Sequence, residues 1–200
     1  ASVHNNTGGV FKGFYKDSNT GIGKFGGNGE NALKRIKGEI TLKKPIFSPY
    51  ECKVDIYQED SNHLVKKLDK VDVVYIDPPY NQHPYGSNYF MLNVIAKNRL
   101  DDDISKISGI PKNWNRSQYN KKQLALKAFN DLINDVKSNY ILVSYNSEGF
   151  ISYDEIVEVL SRYGEVTVNR MKYHTYKASR NLSERSKYVN EYLFILKKRS

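Results

Sequence analysis

Cysteine is almost missing from this chain of 200 residues: Cys52 is the only one. One cysteine excludes a disulfide framework within the chain and a cysteine-based zinc site. Cys52 falls in an alternating run, 52–58, and is expected in the core rather than as a nucleophile. Long apolar runs are missing too. No stretch approaches the about 18 residues that a membrane-spanning helix needs. The first residues, ASVHNNTGGVF, lack the basic start and apolar stretch of a secretory signal. No internal repeat or low-complexity linker is visible. A cytoplasmic location, with no membrane partner, is the expectation from these absences.

Acidic charge is also in short supply. Lys and Arg number 31 against 22 Asp and Glu, a formal net charge of +9. A basic balance of this kind suits a polyanionic partner, with nucleic acid first. Hydrophobic residues make up 39%, enough for a core in a polar protein of one domain, or one domain and a small insertion.

The most informative stretch is VDVVYIDPPYNQHPYGSNYFMLNVI, Val71 to Ile95. Val71 to Ile76 is β-branched and aromatic and reads as a buried strand. Asp77 stands at its carboxyl end. Pro78 and Pro79 cannot donate ladder hydrogen bonds, so the strand stops there and Tyr80 stands on a stiff turn. In open α/β sheets, ligands bind beyond the carboxyl ends of the strands. Chemistry is therefore expected at Asp77, Pro78, Pro79 and Tyr80.

Asp77-Pro78-Pro79-Tyr80 resembles the DPPY motif of DNA amino-methyltransferases. The extension Asn81 to Tyr89, NQHPYGSNY, resembles the adenine-specific subset, which includes Dam-type and restriction-modification enzymes. The resemblance implies transfer of a methyl group from S-adenosylmethionine to the amino nitrogen of an adenine flipped out of double-stranded DNA. It implies no metal. Asp77 to Tyr80 would be catalytic, with Asp77 also beside the cofactor. In the family an acidic residue after the preceding strand lies against the cofactor's adenine, and Asp60 matches it. Plain helix capping is the alternative role for Asp60.

Taken in order, residues 1–29 are rich in Gly, Asn and Lys with aromatics interleaved. They resemble a DNA-touching segment of Dam-type enzymes, with Asn6, Gly8, Gly9, Lys12, Phe14, Tyr15 and Lys16 as the matching residues. Lys12 and Lys16 are candidate phosphate contacts, and such contacts position a protein without reading sequence. A flexible loop is the alternative. Phe25 to Gly29 spells FxGxG, the family's cofactor-loop pattern. The residues before it, Lys16 to Lys24, are polar and glycine-rich, whereas that loop needs a hydrophobic strand leading into it. The match is read as a decoy. Glu30 to Lys37 is a short candidate helix ended by Gly38.

Cys52 to Gln58 alternates and is expected as a strand, followed by a helix over Asn62 to Leu68 with Ser61 as its N-cap. With the strand at Val71 this makes a βαβ unit and a parallel pair. Asn88 to Lys97 is the next expected helix. Arg99 to Tyr119 is polar and irregular, a length that is unusual unless functional. It is expected to fold over DNA, with Arg116, Lys121 and Lys122 on phosphates. Asp101 to Asp103 reads as a solvated turn rather than a metal site. Asn120 to Lys137 has helical period through Leu124, Ala128, Leu132 and Val136. Tyr140 to Tyr145 is a buried strand. Ser152 and Glu155 form a capping box for a helix that Gly164 stops. Val166 to Tyr176 and Tyr188 to Lys197 form a final antiparallel hairpin. Its basic tip carries Lys172, Lys177, Arg180 and Arg185, which either reach DNA or are simply solvated.

The expected fold class is α/β: a partial Rossmann-like methyltransferase sheet, mostly parallel, with a C-terminal antiparallel hairpin and an irregular DNA-recognition segment. Residues 1–50 are expected to contact DNA, and 51–200 to form the C-terminal part of the catalytic domain. No credible cofactor loop is seen, so the chain is expected to be part of a longer enzyme of a restriction-modification system. Besides double-stranded DNA, its expected partner is the missing N-terminal half or a restriction endonuclease. Competing functions are a methyltransferase acting on cytosine, RNA or protein glutamine, and a basic nucleic-acid-binding module without catalysis.

Overall fold

The computed structural model describes residues 15–16, 19, 23–24, 44–99, 103, 112–113, 116–174 and 186–199. In chain order the elements are β1 (Tyr15–Lys16), β2 (Gly23–Lys24), α1 (Ser61–Leu64), β3 (Val71–Ile76), α2 (Tyr85–Asn88), α3 (Phe90–Lys97), a 3-10 turn (Gln118–Asn120), α4 (Lys122–Asp135), β4 (Ser138–Asn146), α5 (Tyr153–Ser161), β5 (Gly164–His174) and β6 (Tyr188–Lys198). No helix among the described residues is long and apolar enough to cross a membrane. The chain divides into two compact units: Ala1–Gln58 with Tyr85–Trp114, and Glu59–Pro84 with Asn115–Ser200.

In the first unit, β1 pairs antiparallel with β2, Tyr15 opposite Lys24 and Lys16 opposite Gly23. The expected helix over 88–97 is two pieces, because Tyr89, at φ −113°, ψ 16°, separates α2 from α3. The Tyr85 and Tyr89 rings stack at 5.5 Å. Asn98 ends α3 in the left-handed region, φ 48°, which asparagine tolerates at a helix end. The strand expected over 52–58 is not formed. That run is fully exposed, and Val54 and Ile56 face solvent. Alternation alone does not make a strand when no neighbour among the described residues supplies the ladder. Cys52, expected in the core, is exposed for the same reason.

The second unit is a four-stranded sheet in the order β3-β4-β6-β5. β3 and β4 are parallel, with Val73 opposite Tyr140 and Ile76 opposite Val143. β6 runs antiparallel to both β4 and β5. The expected parallel pairing is therefore confined to β3 and β4, and β4 rather than the 52–58 run is the strand's partner. A mostly parallel sheet is not what the described residues form.

One face of the sheet carries Ile76, Ile141, Val143, Tyr145, Phe194 and Leu196, all buried. Helices α4 and α5 supply Phe129, Leu132, Ile133, Ile156, Val159 and Leu160 to the same core. The spacing in α4 is the helical period anticipated, although Leu124 at its start is exposed. Lys198 closes α4, its Nζ donating to the carbonyls of Val136 (2.6 Å) and Ile133 (3.4 Å), where a cation also suits the helix dipole. Ser152 and Glu155 form the capping box of α5: Glu155 N donates to Ser152 Oγ at 3.3 Å, and Ser152 N to Glu155 Oε2 at 2.7 Å. Gly164 opens β5 rather than ending α5. A Cβ there would lie 1.9 Å from the Lys197 carbonyl oxygen, so close backbone approach explains the glycine.

The opposite face is different. Val71, Val73 and Tyr75 of β3 are 44%, 53% and 60% exposed, so the strand expected to be buried is covered on one side only. β3 is also an edge of the sheet among the described residues.

Tyr119, just ahead of α4, ties the start of the unit to its centre. Its hydroxyl lies 3.1 Å from both Asn62 Oδ1 and the Ala128 carbonyl oxygen, and Asn62 Nδ2 donates to the same carbonyl at 2.7 Å. Burial, reinforced by the charge of Asp60, holds the phenol well above its usual pKa. Burial does the same to Tyr145. A folded-state pKa raised above the unfolded value of about 10 stabilises the fold below that pH, and the benefit drains away as pH rises through it. Stability should therefore fall above about pH 10, by up to about 1.4 kcal/mol per pH unit for each such tyrosine. Urea midpoints at pH 8 and pH 10.5 check this. The fall should be shallower in Tyr119→Phe; equal falls in both proteins would contradict it.

Candidate active site

β3 ends because Pro78 and Pro79 follow Asp77, and the chain turns across the carboxyl end of the sheet. Asp77 is exposed, Pro78 buried, Pro79 half-buried and Tyr80 exposed at the margin. The turn is held at two points. Phe150 N donates to the Tyr80 carbonyl at 2.9 Å. Asn120 Nδ2 donates to the Asn81 carbonyl at 2.8 Å. The Tyr80 ring meets the buried Tyr145 ring edge-on, with centroids 6.4 Å apart and planes at 76°. Tyr80 is thus fixed by its backbone and its ring, and is 37% exposed.

The segment that receives it follows β4. Asn146, buried, donates through Nδ2 to Glu191 Oε1 (2.5 Å) and accepts from Glu148 N (2.8 Å). Ser147 N donates to the Asn190 carbonyl, and Asn190 N to Ser147 Oγ. The Tyr145 hydroxyl accepts from Ile151 N at 3.2 Å. These bonds link the ends of β3, β4 and β6 into one rigid rim. Asn120 carried no signal in the sequence, because it acts through a partner 39 residues away.

Asn120 is 8% exposed, so an unpaired carbonyl at Asn81 would be left partly desolvated if its amide were lost. Asn120→Ala should lower stability by about 1–2 kcal/mol. Asn120→Asp should do at least as much, since a carboxylate cannot donate. Denaturant midpoints measure this, and unchanged midpoints in both variants would contradict the clamp.

Asp60 caps α1, its Oδ1 accepting from Asn62 N (3.0 Å) and His63 N (3.2 Å). The expected N-cap, Ser61, is instead the first residue of a one-turn helix that stops at Leu64, short of Leu68. A carboxylate has about four lone-pair sites, so the cap leaves Asp60 with acceptor capacity. Lys121 and Lys122 are exposed at the start of α4, directly after Asn120 and hence beside the turn that follows Tyr80. Arg116, just ahead of the 3-10 turn, is also exposed. Tyr15 and Lys16 form β1 in the other unit. Lys12, the Phe25 to Gly29 pattern, the helix expected over Glu30 to Lys37, Asp101, Asp102, Trp114, Lys177, Arg180 and Arg185 lie outside the described residues. Among the described residues no group of three or more His, Cys, Asp or Glu is placed to hold a metal ion.

The chain resembles proteins of known activity. It is 33% identical over 171 residues to the type II methyltransferase M.NlaIII of Neisseria lactamica, covering 84% of this chain and 50% of that protein. It is 37% identical over 189 residues to the modification methylase StsI of Streptococcus sanguinis, covering 91% of this chain and 28% of the relative. It is 34% identical over 168 residues to the type II methyltransferase M.FokI of Planomicrobium okeanokoites, covering 82% and 26%. The chain thus spans half or less of the length of these relatives. No solved structure matches it significantly. Residues 13–159, which include β3, the Asp77 to Tyr80 turn and the two residues, Asn120 and Phe150, that clamp it, match the model of one family, and the chain belongs to it: the D12 class N6 adenine-specific DNA methyltransferases.

Proposed function

We propose that this chain carries the catalytic end of a site-specific DNA methyltransferase that methylates the amino group of adenine. The observation that carries the proposal is the clamped Asp77 to Tyr80 turn at the carboxyl end of β3, with an exposed carboxylate beside an aromatic ring fixed at its edge.

The adenine amino nitrogen is a poor nucleophile because its lone pair is delocalised into the ring. Hydrogen bonds from that group to the Asp77 carboxylate and the Pro78 carbonyl favour a pyramidal nitrogen and localise the lone pair. They also stabilise the positive charge that builds as the methyl arrives, a preorganised electrostatic effect. Proline's fixed torsion and the burial of Pro78 hold that carbonyl still. An amino group paired in a duplex is out of reach, so the base must flip out. Tyr80 offers it a stacking face worth roughly 1–3 kcal/mol. S-adenosylmethionine would supply the electrophilic methyl group. Asp77 fits a place beside it, being exposed at a strand end with no neighbouring strand on one side among the described residues. Asp60, with acceptor capacity beyond its cap, fits a polar edge of the same ligand.

The remainder of the cofactor pocket is proposed to lie in polypeptide beyond these residues. Two facts support that: the chain matches half or less of each relative's length, and the Val71, Val73 and Tyr75 face of β3 is uncovered. Double-stranded DNA is the proposed substrate. Residues 1–50 are proposed to contribute to target recognition, with Lys12, Tyr15 and Lys16 as DNA contacts. Lys121, Lys122 and Arg116 approach phosphates near the flipped base, and Lys177 and Arg180 add basic charge. M.NlaIII and StsI are named as type II and modification enzymes, which supports a place in a restriction-modification system with an endonuclease of the same specificity.

Transfer of radiolabelled methyl from S-adenosylmethionine to unmethylated duplex DNA tests this. Incorporation is expected when the chain is joined to its upstream half and is expected to be weak for the chain alone. Equal incorporation by the chain alone would contradict the incomplete pocket. No incorporation in either form, with DNA binding intact, would leave a nucleic-acid-binding module.

A further inference from the structure

Strands β5 and β6 are longer than the sheet needs. The last pairing of β4 sets Asn146 opposite Glu191, and β6 begins before that residue. Three further pairs, Lys172 with Asn190, Tyr173 with Val189 and His174 with Tyr188, join β5 and β6 alone. At ~3.3 Å per residue they carry a two-stranded ribbon about 10 Å past the end of β4. β4 and β3 are parallel, so the ribbon projects from the same end of the sheet as the Asp77 to Tyr80 turn. β6 lies two strands from β3, about 10 Å to the side, and β5 about 14 Å.

Burial is lost on the β5 side of the ribbon, whereas Val189 of β6 stays buried at 6% exposure. Every residue of β5 from Asn169 to His174 is exposed on both faces. A bare two-stranded ribbon is marginal in water. This one is held by side chains of one face, where the period of two brings Arg170, Lys172, His174, Tyr188 and Asn190 together. Arg170 Nε donates to Asn190 Oδ1 at 2.8 Å. Lys172 Nζ lies 4.3 Å from the centre of the Tyr188 ring, and the His174 ring lies 4.7 Å from it. The one acidic side chain among the described ribbon residues, Glu191, is on the other face and is bound to Asn146. The result is an ordered cationic and aromatic face with no carboxylate among its described side chains.

We infer that this ribbon is a second DNA-binding arm, which lies along the duplex beside the flipped adenine and binds backbone phosphates through Arg170 and Lys172. The inference rests on DNA being the substrate. The offset of about 10–14 Å from Asp77 suits a contact to the duplex flanking the target rather than to the flipped base. A two-stranded ribbon is also of a size that DNA grooves admit. Phosphate contacts hold the duplex in register and do not read its sequence.

The test is the salt dependence of binding of full-length protein to a short unmethylated duplex, with Arg170→Ala, Lys172→Ala and the double variant. Each cation on a phosphate contributes about 0.9 to the slope of log affinity against log salt. Each single variant should lower the slope by roughly 1 and the double by roughly 2, equally on target and non-target duplexes. Global thermal midpoints should change little, since loosening a ribbon that projects past the end of β4 is a local event rather than a loss of the core. Lys127→Ala, on an exposed α4 cation paired with Asp131, is the control and should leave the slope unchanged. Unchanged slopes in the ribbon variants, or a loss confined to target duplexes, would overturn the inference. Asp77→Ala separates this result from the active-site proposal, because it removes methylation and leaves the slope intact. If Asp77→Ala methylates normally while the ribbon variants lose slope, the active-site proposal fails and the arm stands.

Discussion

Replacing Asp77 by alanine should reduce methyl transfer by at least about 10³-fold while duplex affinity stays within about two-fold. Removing a single preorganised partner of developing charge commonly costs about 10²–10³ in kcat. Here the lost group is also proposed to position the base, so the larger end applies. The substitution should not unfold the protein, because Asp77 is exposed and exposed sites usually change stability by less than about 0.5 kcal/mol. Asp77→Asn should fall between the two, since its Oδ1 still accepts a hydrogen bond from the amino group but carries no charge. The effect should sit in kcat rather than in KM for DNA, because the carboxylate is proposed to act most strongly in the transition state. A variant with normal turnover would remove Asp77 from the chemistry.

The second large effect is expected away from the substrate, at Gly149. A Cβ at this position would lie 2.2 Å from Tyr145 Cε1, 2.7 Å from Cζ and 2.8 Å from the hydroxyl oxygen. None of these approaches is tolerable, and the ring is buried at 3% exposure with nowhere easy to go. Gly149→Ala should therefore cost about 2–3 kcal/mol through overpacking, or about 5–10 °C in Tm for a chain of this size. Moving Tyr145 also loosens its bond from Ile151 N and its edge contact with Tyr80, so kcat should fall as well. Shrinking the ring relieves the clash: Gly149→Ala with Tyr145→Leu should be more stable than the sum of the two single changes predicts. Additive losses would show that the glycine and the ring are not coupled.

Much of the fold was legible where the signal is local. Val71 to Ile76 ends where two prolines force it to end. The α4 core stripe follows a 3.6-residue period, and the capping box spells itself in Ser152 and Glu155. The final hairpin was visible as two alternating runs about a basic loop. What could not be read depends on partners distant in sequence. The run at 52–58 has the pattern of a strand, yet nothing among the described residues pairs with it. Val73 and Tyr75 look like core residues, yet lie on a face that the described residues leave open. The turn from Asp77 to Tyr80, proposed as the active site, was legible as the end of a strand, but its clamp was not. Asn120, Tyr145 and Phe150 come from three other segments, and two of the contacts are made to backbone atoms that any residue would offer. Gly149 is one glycine in a turn until the ring beneath it is seen.

The most direct test of the central claim is the chemical identity of the product. Unmethylated duplex DNA is treated with S-adenosylmethionine and the full-length protein, digested to nucleosides and analysed by mass spectrometry. N6-methyladenine is predicted as the sole new nucleoside, present with the unmodified protein and missing with Asp77→Ala. Methylated cytosine in its place, or N6-methyladenine undiminished in Asp77→Ala, would contradict the account.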